Sequence, residues 1–138
     1  MKAYLRQLAT GATLVLALVS GVSADVLTDA AAAYERGDYA TELRLLKPLA
    51  DQGNAEAQAR LGIAYDLGRG VPQDYAQALK YYHLAADQGD AGAQNSLGLM
   101  YKYGHGVPHD YEQAKKYYHL AADKGDADAQ NNIGGMYD

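Results

Sequence analysis

Few side chains in this sequence carry reactive chemistry. His105 and His109 share a short segment with Asp110, and two imidazoles beside a carboxylate are ingredients of a transition-metal site. Pro108 stands between them, which removes the helical i, i+4 face such a site would use, and the segment 36 residues earlier has Arg69 and Gln73 in their places. His83 and His119 are also 36 apart, each follows a tyrosine pair, and both read as outward-facing residues of a repeat. No metal and no cofactor are therefore expected. Beyond the N-terminal stretch the serines reduce to Ser96, with no histidine set beside it, and a lone hydroxyl is inert without a base and an orienting group. Asp123 and Asp126 sit at a turn, where capping accounts for them. Gly68-Arg69-Gly70 and Gly104-His105-Gly106 follow no strand and carry no phosphate-binding lysine. There is no cysteine, so thiolate catalysis, disulfides and a lipid-modified N-terminal cysteine are excluded. The expectation is a protein that is not an enzyme.

The elements that carry these residues repeat. AEAQARLGIAYDLGRGVPQDYAQALKYYHLAADQGD from Ala55 returns from Ala91 as AGAQNSLGLMYKYGHGVPHDYEQAKKYYHLAADKGD, and ADAQNNIGGMYD from Ala127 starts it again. The offset is 36 residues without a gap. Asp38-Tyr39-Ala40 and Ala50-Asp51-Gln52-Gly53 place a degenerate unit before these, turning through Glu35-Arg36-Gly37-Asp38 and lacking the Gly-x-Gly-Val-Pro loop. The chain divides into a leader (1–24), a degenerate unit (25–53), two full units (54–89 and 90–125) and a partial one (126–138) holding a first helix only.

Each unit reads as two helices. The first, about Ala55 to Leu67, gathers Gln58, Leu61, Gly62 and Tyr65 on one arc. Gly68 is suited to end it in the left-handed conformation, Val71-Pro72 enforces an extended segment, and Asp74 caps the second helix. The same pattern predicts helices near 91–103, 110–123 and 127–137. Glycine inside a helix costs about 1 kcal/mol against alanine, so Gly62 and Gly98 imply a packing reason, expected to be the close approach of a neighbouring backbone. Leu61 and Tyr65, with Tyr75, Ala78, Tyr82, Ala85 and Ala86, should fill the layers between helices. Thirteen tyrosines with no Phe or Trp suggest buried rings whose hydroxyls reach a polar edge. Pro48 falls inside the degenerate unit's second helix and should kink or shorten it around Leu46.

AxAQxxLGxxY, Gly-x-Gly-Val-Pro-x-Asp-Tyr and the Ala-Ala-Asp-x-Gly turn resemble the Sel1-like repeat family, relatives of the tetratricopeptide repeats, across 55–138 closely and 27–54 loosely. The family's tryptophan late in the second helix is replaced by Tyr81 and Tyr117. The resemblance implies an all-α fold, a right-handed α-solenoid of antiparallel helix pairs, used as an adaptor or scaffold. A cell-envelope hydrolase of the kind proposed for cysteine-rich relatives is the alternative it raises, set against a chain without cysteine. A structural module of a longer repeat protein is the third reading.

Met1 to Gln7 carries Lys2 and Arg6, an apolar run follows from Leu8 to Val22, and Val22-Ser23-Ala24 is a small-residue cleavage pattern, together a secretory leader. Its apolar run is shorter than the ~20 residues a spanning helix needs. Without Lys2 and Arg6 the chain has ten basic against seventeen acidic residues, a net charge of −7, which argues against nucleic-acid and anionic-membrane partners. A periplasmic or secreted location and a protein or peptide partner are expected.

In helical-pair solenoids the first helices line the concave groove where extended ligands bind. Positions that differ between units on the arc opposite Leu61 and Leu97 are the candidates for contact with the partner: Arg60, Ile63, Asp66, Asn95, Leu99, Lys102, Asn131 and Asn132. The leader sets the first test. N-terminal sequencing of the mature protein should start at Asp25, and a soluble species starting at Met1 would contradict export with cleavage.

Overall fold

The structure, a computed structural model, describes residues 21–137, in which helices are the sole regular element. The apolar run of the expected leader lies outside the described residues up to position 20. A helix α1 covers residues 21–35. It is followed by α2 (Tyr39–Asp51), α3 (Ala55–Leu67), α4 (Tyr75–Asp87), α5 (Ala91–Tyr103), α6 (Tyr111–Ala122) and α7 (Ala127–Tyr137).

Capping residues set where these helices begin. Asp38, Asn54, Asp74, Asp90, Asp110 and Asp126 each accept a hydrogen bond from the backbone amide three residues on, at 2.8–3.2 Å. Gly68 and Gly104 end α3 and α5 at φ 66° and 69°, the left-handed cap the spacing predicts. Pro48 departs from expectation: α2 runs unbroken through it from Tyr39 to Asp51. The carbonyl it deprives of a partner belongs to Arg44, and both residues are exposed, so water takes the bond on the outer face.

Within a unit the two helices are locked by one ring on one glycine. A Cβ on Gly62 would stand 2.5–3.1 Å from the Tyr82 ring, and one on Gly98 the same distance from the Tyr118 ring. The expected partner of these glycines was a backbone, and the structure places an aromatic face there instead. The glycine admits a phenol where any side chain would exclude it. Tyr82 and Tyr118 are among the largest fully buried residues, with Leu46, Leu61, Leu97 and Met100.

Between units a second set of contacts repeats. Gln58 donates from Nε2 to the Ala50 carbonyl at 3.1 Å, Gln94 to Ala86 at 3.2 Å, and Gln130 to Ala122 at 3.4 Å. Each glutamine thus satisfies a carbonyl in the last turn of the preceding second helix, a group that turn leaves without an intrahelical partner. The loop glycines complete the joint. A Cβ on Gly70 would meet Tyr39 and Leu43 at 2.9 Å, and one on Gly106 would meet Tyr75 at 2.8 Å and Leu79 at 3.0 Å. Each Gly-x-Gly-Val-Pro loop therefore lies on the second helix of the unit before it. Stacked rings run alongside, Tyr65 on Tyr81 at 5.8 Å and Tyr101 on Tyr117 at 5.7 Å.

The last helix is covered on one side only. Among the residues of α7 just Ala129 is buried, while Tyr137 is 67% exposed and carries the Lys115 ammonium 5.5 Å over its ring.

Gly98→Ala should lower stability by about 1–3 kcal/mol through overpacking against Tyr118, although alanine is the better helix former by about 1 kcal/mol. Thermal or urea unfolding measures this, and an unchanged midpoint would show that the Tyr118 ring can yield.

Candidate partner-binding face

The first helices make one continuous layer. Among the described residues α3 and α5 pack on each other more closely than any two second helices do, which sets this layer on the inner side of the array. Asn132 on α7 donates to the Asn95 side chain on α5 at 2.9 Å, extending it to the last unit.

At its N-terminal end α1, α2 and α3 enclose a cavity of about 300 Å³ lined by Ala31, Tyr34, Glu35, Glu42, Glu56, Arg60, Ile63, Ala64 and Arg69. Glu42 is buried, and its Oε1 accepts from Arg60 Nη2 at 2.7 Å and Nε at 3.2 Å. Glu56 lies 3.8 Å from Arg60 on the exposed side. At the rim Arg69 donates to the Tyr34 hydroxyl at 2.9 Å and stands over the rings of Tyr34 and Tyr39. The cavity combines exposed apolar surface on Ile63 and Tyr34 with charges already positioned, the composition of a pocket for a partner side chain.

Further along, each ring that crosses a glycine brings its hydroxyl to this face. The Tyr82 hydroxyl donates to Asp66 Oδ2 at 3.0 Å, with Ser96 also within hydrogen-bonding reach. Burial first, and then the Asp66 charge, push the Tyr82 phenol well above its ordinary pKa. The Tyr118 hydroxyl is buried and has no hydrogen-bond partner. Burial, with a smaller contribution from Tyr103, pushes its pKa up to about 12.

The eight residues singled out in the sequence fall into two groups. Arg60, Asp66, Asn95 and Asn132 face this layer but are engaged internally, by Glu42, by Tyr82 and by each other. Ile63, Leu99, Lys102 and Asn131 remain at least partly exposed, with no ion pair among the described residues, Lys102 lying 5.4 Å over the Tyr103 ring. Glu42, Tyr34, Glu35 and Arg69 were not anticipated. One signal was legible: Glu42 and Arg60 stand where the next unit has Ala78 and Ser96, a paired gain of opposite charges. The meeting of Tyr34 with Arg69 has no such trace, because it depends on where a loop lands. His105 stacks on Tyr75 at 4.6 Å and His109 meets Tyr111 at 4.2 Å, so the two imidazoles serve different rings.

Antiparallel helix pairs at a 36-residue repeat, joined by a glutamine and a glycine loop, define an α-solenoid. The Sel1 repeat model matches residues 55–90 and 91–126, just over half of the chain, and the protein belongs to the Sel1 repeat family. It is similar to a Sel1 repeat protein from Oxalobacter formigenes, with a TM-score of 0.75 and 33% identity, over 80% of this chain and 45% of that one. It is also similar to a protective antigen present in uropathogenic Escherichia coli strains displaying an SLR fold, with a TM-score of 0.78 and 34% identity, over 86% of this chain and 26% of that one. The chain thus spans less than half the length of either structure. No curated protein matches the sequence. Sel1 repeats are generally protein-interaction modules, and the family is typically a non-catalytic scaffold.

The two buried phenols differ in a measurable way. Tyr82→Phe removes a hydrogen bond to a carboxylate and should cost about 1.5–3 kcal/mol. Tyr118→Phe removes a hydroxyl without a partner and should be neutral or stabilising. Paired urea melts measure both, and equal losses would contradict the asymmetry.

Proposed function

We propose that this protein is an exported scaffold that holds a protein or peptide partner on its first-helix layer. The observation that carries the reading is the cavity between α1, α2 and α3, which opens on the layer whose residues differ most from unit to unit. Scaffold positions repeat because stacking needs them; this layer varies where stacking does not. A partner lying along it would bury Ile63, Leu99 and Tyr103 and present polar groups to Lys102 and Asn131. Among the described residues no helix is long and apolar enough to cross a membrane, and no group of three or more His, Asp or Glu residues is gathered for a metal.

Export is compatible with the packing. Helix α1 passes through Val22-Ser23-Ala24, and Val22 and Ala24 are exposed. Cleavage after Ala24 would remove an exposed end and leave Ala30 and Ala33, the fully buried residues of α1, in place.

Arg60 and Asn95 support the fold itself, so the layer is best tested without them. Once a partner has been purified from envelope extract, the triple variant Ile63→Ala, Lys102→Ala, Asn131→Ala should weaken its binding about tenfold or more. Lys80→Ala, Leu84→Ala, Lys116→Ala, on exposed parts of the second helices, should change it less than about twofold. Calorimetric titration gives both, with circular dichroism to show that helicity is intact. Loss of binding in the second set with retention in the first would move the site to the outer face.

A further inference from the structure

The inner layer reverses its charge between two equivalent positions. Tyr82 over Gly62 and Tyr118 over Gly98 ride on their glycines alike, so their hydroxyls are delivered to equivalent places. In the earlier unit that place holds an acceptor, Asp66 at 3.0 Å, with Ser96 nearby on the next first helix. In the later unit Lys102 replaces Asp66 and Asn132 replaces Ser96. An ammonium can only donate, and Asn132 gives its amide to Asn95. The Tyr118 hydroxyl is left buried with no partner. A buried polar group without a partner costs about 1–3 kcal/mol, and in a native fold it calls for a reason. A cation and an O–H donor converge here without an acceptor.

We infer that this place receives the carboxylate of an aspartate or glutamate side chain of the partner, occupying in the second full unit the position Asp66 occupies in the first. The inference rests on the reading of the first-helix layer as the partner-binding face. Lys102 is half-exposed on a flexible four-carbon stem and is in no ion pair among the described residues, so turning it aside opens the way to Tyr118. Leu99 and the 58%-exposed Tyr103 offer apolar surface beside it for the rest of the bound segment. The preference is local, because Glu35, Glu42 and Glu56 at the far end of the layer repel acids.

Two measurements on the full chain test this. The first needs no ligand. Lys102→Asp supplies the missing acceptor from within, so it should be better tolerated when Tyr118 is present than in a Tyr118→Phe background, and the melting temperatures of this cycle should show favourable coupling. No coupling, or coupling of the opposite sign, would show that the hydroxyl does not face position 102 and would overturn the inference. The second uses arrayed nonapeptides, acetylated and amidated at their ends, each with Asp or Glu at the centre and an Asn or Gln twin. Acid-bearing peptides should bind the wild type about tenfold or more tightly than their twins, and Lys102→Asp should abolish that preference while amide-bearing peptides keep their affinity. Binding to the layer without any acid preference would sink the carboxylate while leaving the layer as the binding face. Absence of binding by every peptide would count against the layer itself and the inference with it.

Discussion

A phenol ring laid on a bare helix backbone is the constraint from which this structure grows. Tyr82 can cross α3 only because Gly62 has no side chain, and Tyr118 crosses α5 over Gly98 in the same way. That contact fixes the separation and the rotation of the two helices in each pair. It also fixes where the ring ends, which is why a residue that closes the core reappears as a hydroxyl on the inner layer. The aromatic does two jobs that a leucine could not, because a leucine has no polar end to deliver. Tyrosine is accordingly the aromatic of this protein, used thirteen times to the exclusion of Phe and Trp.

Stacking of one pair on the next depends on a different economy of groups. The last turn of a helix leaves carbonyls without partners, and here an incoming glutamine supplies the donor, as Gln58 does for Ala50. The glutamine is itself almost fully buried, so the bond is made away from competing water. The loop glycines then bring backbone against Tyr39 and Tyr75 at a distance a side chain would prevent. Shape comes from small residues, and register comes from polar ones.

Much of this was legible in the sequence because a repeat is its own comparison. Helix ends followed from Asp, Asn and Gly at fixed offsets, since caps act over three or four residues and need no tertiary information. The glycines announced a close contact, but not that an aromatic face would make it, because spacing along one helix does not name the residue facing it. Pro48 misled for a related reason: the damage a proline does depends on whether the orphaned carbonyl is wet, and exposure is a property of the fold. The inner layer was legible as a direction. Which of its residues were already committed was not, since the ion pair of Arg60 with Glu42 and the bond of Asn95 with Asn132 cross between helices 18 and 37 residues apart.

The joint between units uses one set of residues on its leading side and another on its trailing side, and both sets recur every 36 residues. Any seam is therefore chemically equivalent to any other. Excising or duplicating a stretch of that length reunites matching surfaces, whereas gaining or losing a single residue rotates everything downstream by about 100° and breaks every later contact at once. Length in such a chain is free to change by whole steps and forbidden to change by fractions, so its lineage can lengthen or shorten the binding surface by recombination without inventing a new interface.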